Sequence, residues 1–141
     1  MNSSNFVDVN VRLALSWRRH MHAERAKEWF ESAASQRFYF CRVTHLAALR
    51  LLTTRAILGE DMHTMISAWR IMDRIQTDDR VMFLEEPAGL DREFRTRSRL
   101  STRSPKVWAD AYLLAFASTA GLKLVTFDRA LQNRGAEVLV L

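Results

Sequence analysis

Three aspartates occupy positions in this sequence where a carboxylate suggests chemistry. Asp8 interrupts the apolar stretch FVDVNV, which predicts a first β-strand, and Asn10 follows two residues later on the same side of that strand. Asp128 comes directly after the apolar run LKLVTF, at the carboxyl end of another predicted strand, with Thr126 two residues before it. Asp110 lies inside the helical pattern WADAYLLAFASTAG.

Three carboxylates that meet in a fold repel one another, so one must take up a proton unless a cation is present. Oxygen-rich clusters are preferred by Mg²⁺ and Mn²⁺, and such an ion can activate water for phosphodiester cleavage. Taken singly, Asp128 fits a turn or a helix cap, and Asp110 fits a solvent-facing helix position. Only the combination points to a metal, which would offset the charge of Asp8 inside a strand.

The elements that must position these acids alternate along the chain. Apolar runs predict strands in FVDVNV, FYFC, VMFL, LKLVTF and EVLVL. Helical spacing predicts helices over 21–33, 44–53, 65–75 and 105–121, with Thr44 and Ser104 as caps. This alternation is typical of an α/β fold with a mostly parallel sheet covered on both faces. Ligands bind at the carboxyl ends of such strands, so Asp8 and Asp128 converge if the first and fourth strands are neighbours.

Bulk properties indicate one domain over residues 1–141, with ordinary globular composition. Cys41 is the single cysteine, which excludes an internal disulfide and suits the cytoplasm. No membrane span or secretory signal is recognisable, so we expect no membrane association. The net charge is +5, carried almost entirely by arginine, which suggests nucleic acid or an acidic protein as a partner. A solvated basic surface is the alternative.

The sharpest basic run, REFRTRSRLSTRSPK, leads into the helix of Asp110. We expect it to lie near the acids, where it could hold RNA phosphates or an acidic protein segment. The alternative is a mobile, solvated loop. The candidate RNA-binding residues in this run are Arg95, Arg97, Arg99 and Arg103, and Lys106 closes it.

Other conspicuous residues have simpler interpretations. His20 and His22 lack a carboxylate or cysteine at ligand spacing, so we interpret them as surface residues. Cys41 in FYFC is predicted to be a small core residue. The tryptophans and methionines at helical spacing favour core positions, with an interface between chains as the alternative; they are Trp17, Trp29, Trp69, Met65 and Met72.

The segments DVNVRLAL, HMHAERAKEWF, CRVTHLAALRLLT, PKVWADAYLLAFA and LKLVTFDRAL together resemble the PIN domain, specifically the VapC-type toxins of bacterial toxin–antitoxin pairs. The resemblance implies an α/β/α sandwich with a central five-stranded parallel sheet. It implies an endoribonuclease that uses Mg²⁺ or Mn²⁺, forms a homodimer and is neutralised by a small antitoxin. It assigns the acidic metal-site positions to Asp8, Asp110 and Asp128, and a site-lining hydroxyl to Thr126.

One position departs from that family pattern. The family usually carries a glutamate where VTHLAALRLL places His45. An imidazole suits Mg²⁺ less well than a carboxylate, so we expect weaker Mg²⁺ binding with a relative preference for Mn²⁺, and a second metal is open to question. His45 lines the site in this interpretation; the alternative is that it only packs beside it. A module that binds RNA or a partner through a weakened site is the alternative function.

Overall fold

A computed structural model describes residues 4–141 and contains a five-stranded sheet in the order β3-β2-β1-β4-β5. Each neighbouring pair of strands is parallel. The predicted α/β class is therefore confirmed. The first and fourth strands are neighbours, which is the condition for Asp8 and Asp128 to converge. The strands are β1 Ser4–Val7, β2 Arg37–Phe40, β3 Val81–Phe83, β4 Lys123–Thr126 and β5 Val138–Val140.

Seven α-helices connect and cover the strands within the described residues. Short 3₁₀ turns follow α4 and β4, at Gly59–Asp61 and Arg129–Leu131. The helix α7 ends at Gly121, which adopts the left-handed conformation predicted for a C-terminal cap. The helices are α1 Val9–Ser16, α2 Ala23–Ser32, α3 Arg42–Leu52, α4 Arg55–Leu58, α5 Met65–Gln76, α6 Leu90–Ser98 and α7 Lys106–Ala120.

The core lies on both faces of the sheet because successive strand residues point in opposite directions. Phe6 faces the α6–α7 layer and stacks on Phe116 of α7, with ring centroids 4.4 Å apart. Val7, the next residue, packs with Val11 of α1 and Ala26 of α2 on the other face. A further cluster joins α1, α3 and α5.

The prediction that Asp8 lies within a strand is wrong. The strand β1 ends at Val7, and Asp8 is the N-cap residue of α1. The backbone N–H of Val9 donates to Asp8 Oδ1 at 2.6 Å, so the carboxylate binds a free N–H group of the helix start. The apolar residues after Asp8 alternate in a way that suited a strand, but they pack as a helix. Asn10 consequently lies exposed on α1 and is not a strand neighbour of Asp8.

Other predicted boundaries also shift. Cys41 is buried as predicted, but it follows β2 and caps α3. Thr44 is the third residue of that helix, and its hydroxyl accepts from the backbone N–H of Cys41 at 3.1 Å. No element was assigned to residues 90–98 from the sequence, and they form α6.

The predicted tryptophan and methionine core is only partly correct. Met72 is fully buried, whereas Met65 and Trp69 are exposed at 78% and 48%. These two side chains therefore remain candidates for an interface. No helix within residues 4–141 is long and apolar enough to cross a membrane.

Candidate active site

The carboxyl ends of β1 and β4 meet at one edge of the sheet. The backbone N–H of Asp8 donates to the carbonyl of Val125 at 2.9 Å, which ties the residue after β1 to β4. Asp128 follows β4 by two residues and caps the adjacent 3₁₀ turn. Asp110 lies on the second turn of α7, the helix that leads into β4. The neighbouring strands β1 and β4, together with α7, thus bring three aspartates that are distant in the sequence to the same region.

Asp8 is the buried member of the group, with 7% of its surface exposed. The hydroxyl of Thr126 donates to Asp8 Oδ2 at 2.6 Å and accepts from the backbone N–H of Asp128 at 3.0 Å. Burial raises the pKa of Asp8, and the negative charges of Asp110 and Asp128 raise it further; the bonds from Thr126 and Val9 oppose that rise. The three carboxylates are therefore close enough to act on one another.

Asp110 and Asp128 share a basic neighbour. Burial raises the pKa of Asp110. The positive charges of Lys106 and Arg134 lower this pKa, and the negative charge of Asp128 raises it. Lys106 Nζ lies 3.4 Å from Asp128 Oδ2, and the other oxygen of Asp128 accepts from the N–H of Ala130. The outer part of the acid group is therefore partly neutralised by the chain itself.

His45 packs between aromatic side chains and makes no hydrogen bond to the three aspartates. Its ring lies 5.2 Å from that of Phe40 and 5.4 Å from that of Trp69, and neither ring nitrogen has a hydrogen-bond partner. Burial lowers the pKa of His45 to about 4, assisted by the charges of Arg12 and Arg42, so the ring is neutral at pH 7. None of the three aspartates is among the charges that act on it.

Arg12 forms an unusual buried group beside His45. It is 3% exposed, its Nη2 donates to Met72 Sδ at 3.0 Å, and its guanidinium lies 4.6 Å from the Phe40 ring centroid. Its Nε has no partner, and Arg12 takes part in none of the ion pairs formed within residues 4–141. Burial lowers the pKa of Arg12 to about 10. No sequence signal marks this arginine among its many neighbours.

The predicted RNA-binding arginines fall into two groups. Arg95 and Arg97 lie on α6 and form ion pairs at 2.8 Å with Asp91 and Glu93, one helical turn earlier. Arg97 also donates to the carbonyl of Arg134, the residue that acts on Asp110, so this part of the basic run lies near the acids. Two others, Arg99 and Arg103, are exposed after α6 and form no ion pair within the described chain.

The model of the PIN domain family matches residues 6–137. The chain belongs to the PIN domain family. Among its relatives, it is 38% identical over 133 residues to ribonuclease VapC41 of Mycobacterium tuberculosis, covering 91% of each chain. It is 28% identical over 140 residues to ribonuclease VapC39 of the same organism, covering 95% of each.

A solved PIN-domain structure has the same fold. The crystal structure of Mycobacterium tuberculosis VapC20, a toxin that cleaves the sarcin–ricin loop, superposes with a TM-score of 0.67 at 18% identity, covering 94% of this chain and 95% of that one. At this identity the likeness shows the α/β/α fold alone.

The donor chemistry of this PIN domain fits a divalent metal ion. The group offers the oxygens of three carboxylates. The carboxyl group of Asp8 is buried and has a raised pKa, and a neighbouring cation would stabilise its charged form. No three acidic, histidine or cysteine side chains among residues 4–141 are close enough to enclose an ion. Mg²⁺ does not require such a cage, because it keeps several waters and binds through one or two carboxylates. Asp8 and Asp110 could therefore serve.

One residue of this region was missed as a site residue. Lys106 was predicted only as the end of the basic run, but it contacts Asp128 directly. Its position four residues before Asp110 on a predicted helix was the available signal, because side chains at that spacing share a helix face.

Proposed function

We propose that this protein is a metal-dependent endoribonuclease that acts as the toxin of a toxin–antitoxin pair. The observation that supports the proposal most is the buried carboxylate of Asp8 at the carboxyl ends of the parallel strands, where burial raises its pKa and the charges of Asp110 and Asp128 raise it further. Relatives that cover nearly the whole chain are ribonucleases by name, which agrees with this chemistry.

Asp8 and Asp110 would hold a Mg²⁺ or Mn²⁺ ion, and Asp128 would complete or orient its shell. Such an ion supplies polarisation of a phosphoryl oxygen and makes a nearby water more acidic. Thr126 fixes the carboxylate of Asp8 through a 2.6 Å hydrogen bond and ties it to the backbone of Asp128. With the Asp8 side chain held by Val9 and Thr126, its oxygens are oriented before substrate arrives.

Phosphate binding would fall mainly to the unpaired arginines of the basic run. Arg99 and Arg103 are exposed and have no carboxylate partner in the described chain, so their guanidinium groups are available for RNA phosphates. Arg95 and Arg97 must first release their ion pairs, and Arg97 is better suited to holding the loop at Arg134 in place.

The test is RNA cleavage with purified protein in Mn²⁺, Mg²⁺ or a chelator. We expect cleavage with either metal, loss with chelator, and loss of at least about a hundredfold with Asp8→Asn, a range typical of removing one essential electrostatic group. Asp79→Asn is the matched control, because Asp79 is exposed just before β3, at the amino ends of the strands and opposite the acids. Cleavage that survives Asp8→Asn would contradict the proposal.

The same experiment separates the alternative function, a module that binds RNA or a partner without cutting. That alternative comes from the sequence, where His45 stands at the position of the family's usual glutamate; in the structure His45 packs on Phe40 and Trp69, and neither of its ring nitrogens has a hydrogen-bond partner. RNA binding without metal-dependent cleavage would support it.

An antitoxin partner is part of the proposal. A cleft of about 1410 Å³ runs between the α1–α2 pair and α5, larger than the ~300–1,000 Å³ of most small-molecule sites. Its lining combines apolar Leu15, Phe30 and Ile71 with charged Arg70 and Glu31, which suits an amphipathic helix of a protein. The similar structure of VapBC2 from Rickettsia felis, bound to promoter DNA, has a TM-score of 0.65 at 8% identity and covers 98% of each chain. Co-expression with a short neighbouring reading frame should block RNA cleavage, and continued cleavage in its presence would contradict this role.

The proposed homodimer would use the exposed apolar side chains of α3 and α5, which we name the α3–α5 face: Val43, Leu46, Met65, Ile66 and Trp69. A stable dimer buries roughly 800 Å² on each partner, and an apolar centre of this kind is typical of one. Light scattering should show a dimer that Leu46→Glu converts to a monomer. Met21→Glu, on an exposed loop elsewhere, should leave it dimeric. A wild-type monomer would contradict the proposal.

A further inference from the structure

Lys106 is a basic side chain in direct contact with the acid group. It is the first residue of α7, four positions before Asp110, so both side chains lie on the same face of that helix. Its ammonium nitrogen lies 3.4 Å from Asp128 Oδ2. The side chain is 70% exposed, so its position is not imposed by packing. Its ion pair with Asp128 places its positive charge beside the acids.

The charge of Lys106 matters because the three carboxylates and one divalent ion do not balance. The site brings together three carboxylates, Asp8, Asp110 and Asp128, whose charges act on one another. One divalent ion leaves one negative charge uncompensated. Two divalent ions would exceed the charge of the carboxylates, and two-metal sites require ligands for both ions.

We propose that the site holds one divalent ion, on Asp8 and Asp110, and that the ammonium of Lys106 replaces a second ion by neutralising Asp128. This inference rests on the proposed metal site. It assigns different roles to acids that look equivalent in the sequence: Asp8 and Asp110 are ligands, and Asp128 is the ion-pair partner of Lys106. Lys106 therefore limits how many ions the site accepts.

Direct counting of bound Mn²⁺ on the full-length protein tests this inference without measuring activity. The electron paramagnetic resonance signal of free Mn²⁺ gives both the affinity and the number of bound ions. Four proteins are compared: wild type, Lys106→Gln, Lys123→Gln and Asp8→Asn. Lys123 begins β4 at the opposite edge of the sheet, so its variant is a control for the loss of one positive charge. Circular dichroism verifies that each variant is folded.

We expect one Mn²⁺ per chain in wild type and in Lys123→Gln. Removing the positive charge of Lys106 should tighten Mn²⁺ binding on the order of tenfold in Lys106→Gln, and a second ion should bind at higher concentration. Two ions in wild type, or binding by Lys106→Gln that equals that of Lys123→Gln, would overturn the role of Lys106. If Asp8→Asn binds Mn²⁺ as wild type does, the metal site and the proposed function fail instead.

Discussion

Replacing Arg12 by methionine is expected to stabilise the protein, because the structure buries its charge without a carboxylate partner. A buried guanidinium whose remaining contacts are a sulfur atom and an aromatic face is poorly compensated. Methionine is unbranched and flexible, so it can fill the same space against Met72 and Phe40. The perturbation removes the charge and keeps the packing.

The size of the effect follows from the pKa. A fall from the ordinary arginine pKa to about 10 means that the folded protein binds this proton less tightly than the unfolded chain does. Stability therefore rises with pH between these two values, and the cost is fully present at pH 7, where it is about 3 kcal/mol. The cation–π contact with Phe40 offsets about 1–2 kcal/mol of that cost. The net gain for Arg12→Met is about 1–2 kcal/mol.

Thermal and urea unfolding measure this change. For a chain of 141 residues, a gain of about 1–2 kcal/mol raises Tm by about 3–6 °C. Arg50→Met, on the exposed side of α3, is the control and should change Tm little. A loss of more than about 1 kcal/mol in Arg12→Met would refute the reasoning, since it would show that the guanidinium makes contacts worth more than its desolvation.

Three further substitutions test the surroundings of the acids. Thr126→Val removes the hydroxyl donor of Asp8 and should lower the free energy of unfolding by about 1–3 kcal/mol in urea, with Thr126→Ser near wild type. A carboxyl group whose pKa is raised on folding lowers stability as the pH rises above 3.8. Asp110→Asn should therefore make the metal-free protein more stable at pH 7 and flatten the dependence of its stability on pH. An unchanged dependence would contradict this. His45→Glu should pair with Arg12 and leave Mg²⁺ affinity, measured by calorimetry, unchanged; tighter Mg²⁺ binding would show that position 45 reaches the acids and would support the metal preference predicted from the sequence.

Much of the fold could be predicted from periodicity, because each strand is a short apolar run and the helices between them have regular spacing. The start of α1 could not, since Val9, Val11 and Leu13 alternate as strongly as strand residues. The aspartate that seemed anomalous inside a strand is ordinary as a helix cap. The tertiary packing of α1 against α2 and β1, which local patterns do not show, decides between the two.

The candidate site was predictable in part, because the carboxyl ends of neighbouring parallel strands meet wherever strand order reverses. That rule brought Asp8 and Asp128 together without any knowledge of side-chain contacts. It could not show that Lys106 reaches Asp128, or that Arg97 is bound to Glu93, since both depend on the paths of long side chains. The burial of Arg12 and His45 around Phe40 also depends on how α1 and α3 pack.

A crystal structure of the protein grown with Mn²⁺ would show whether the aspartates bind a metal ion, because the anomalous signal locates the ion independently of any assay. We expect one peak at about 2.0–2.3 Å from carboxylate oxygens of Asp8 and Asp110, with water completing the shell. Absence of a peak there at millimolar Mn²⁺, or a peak bound only by other residues, would contradict it.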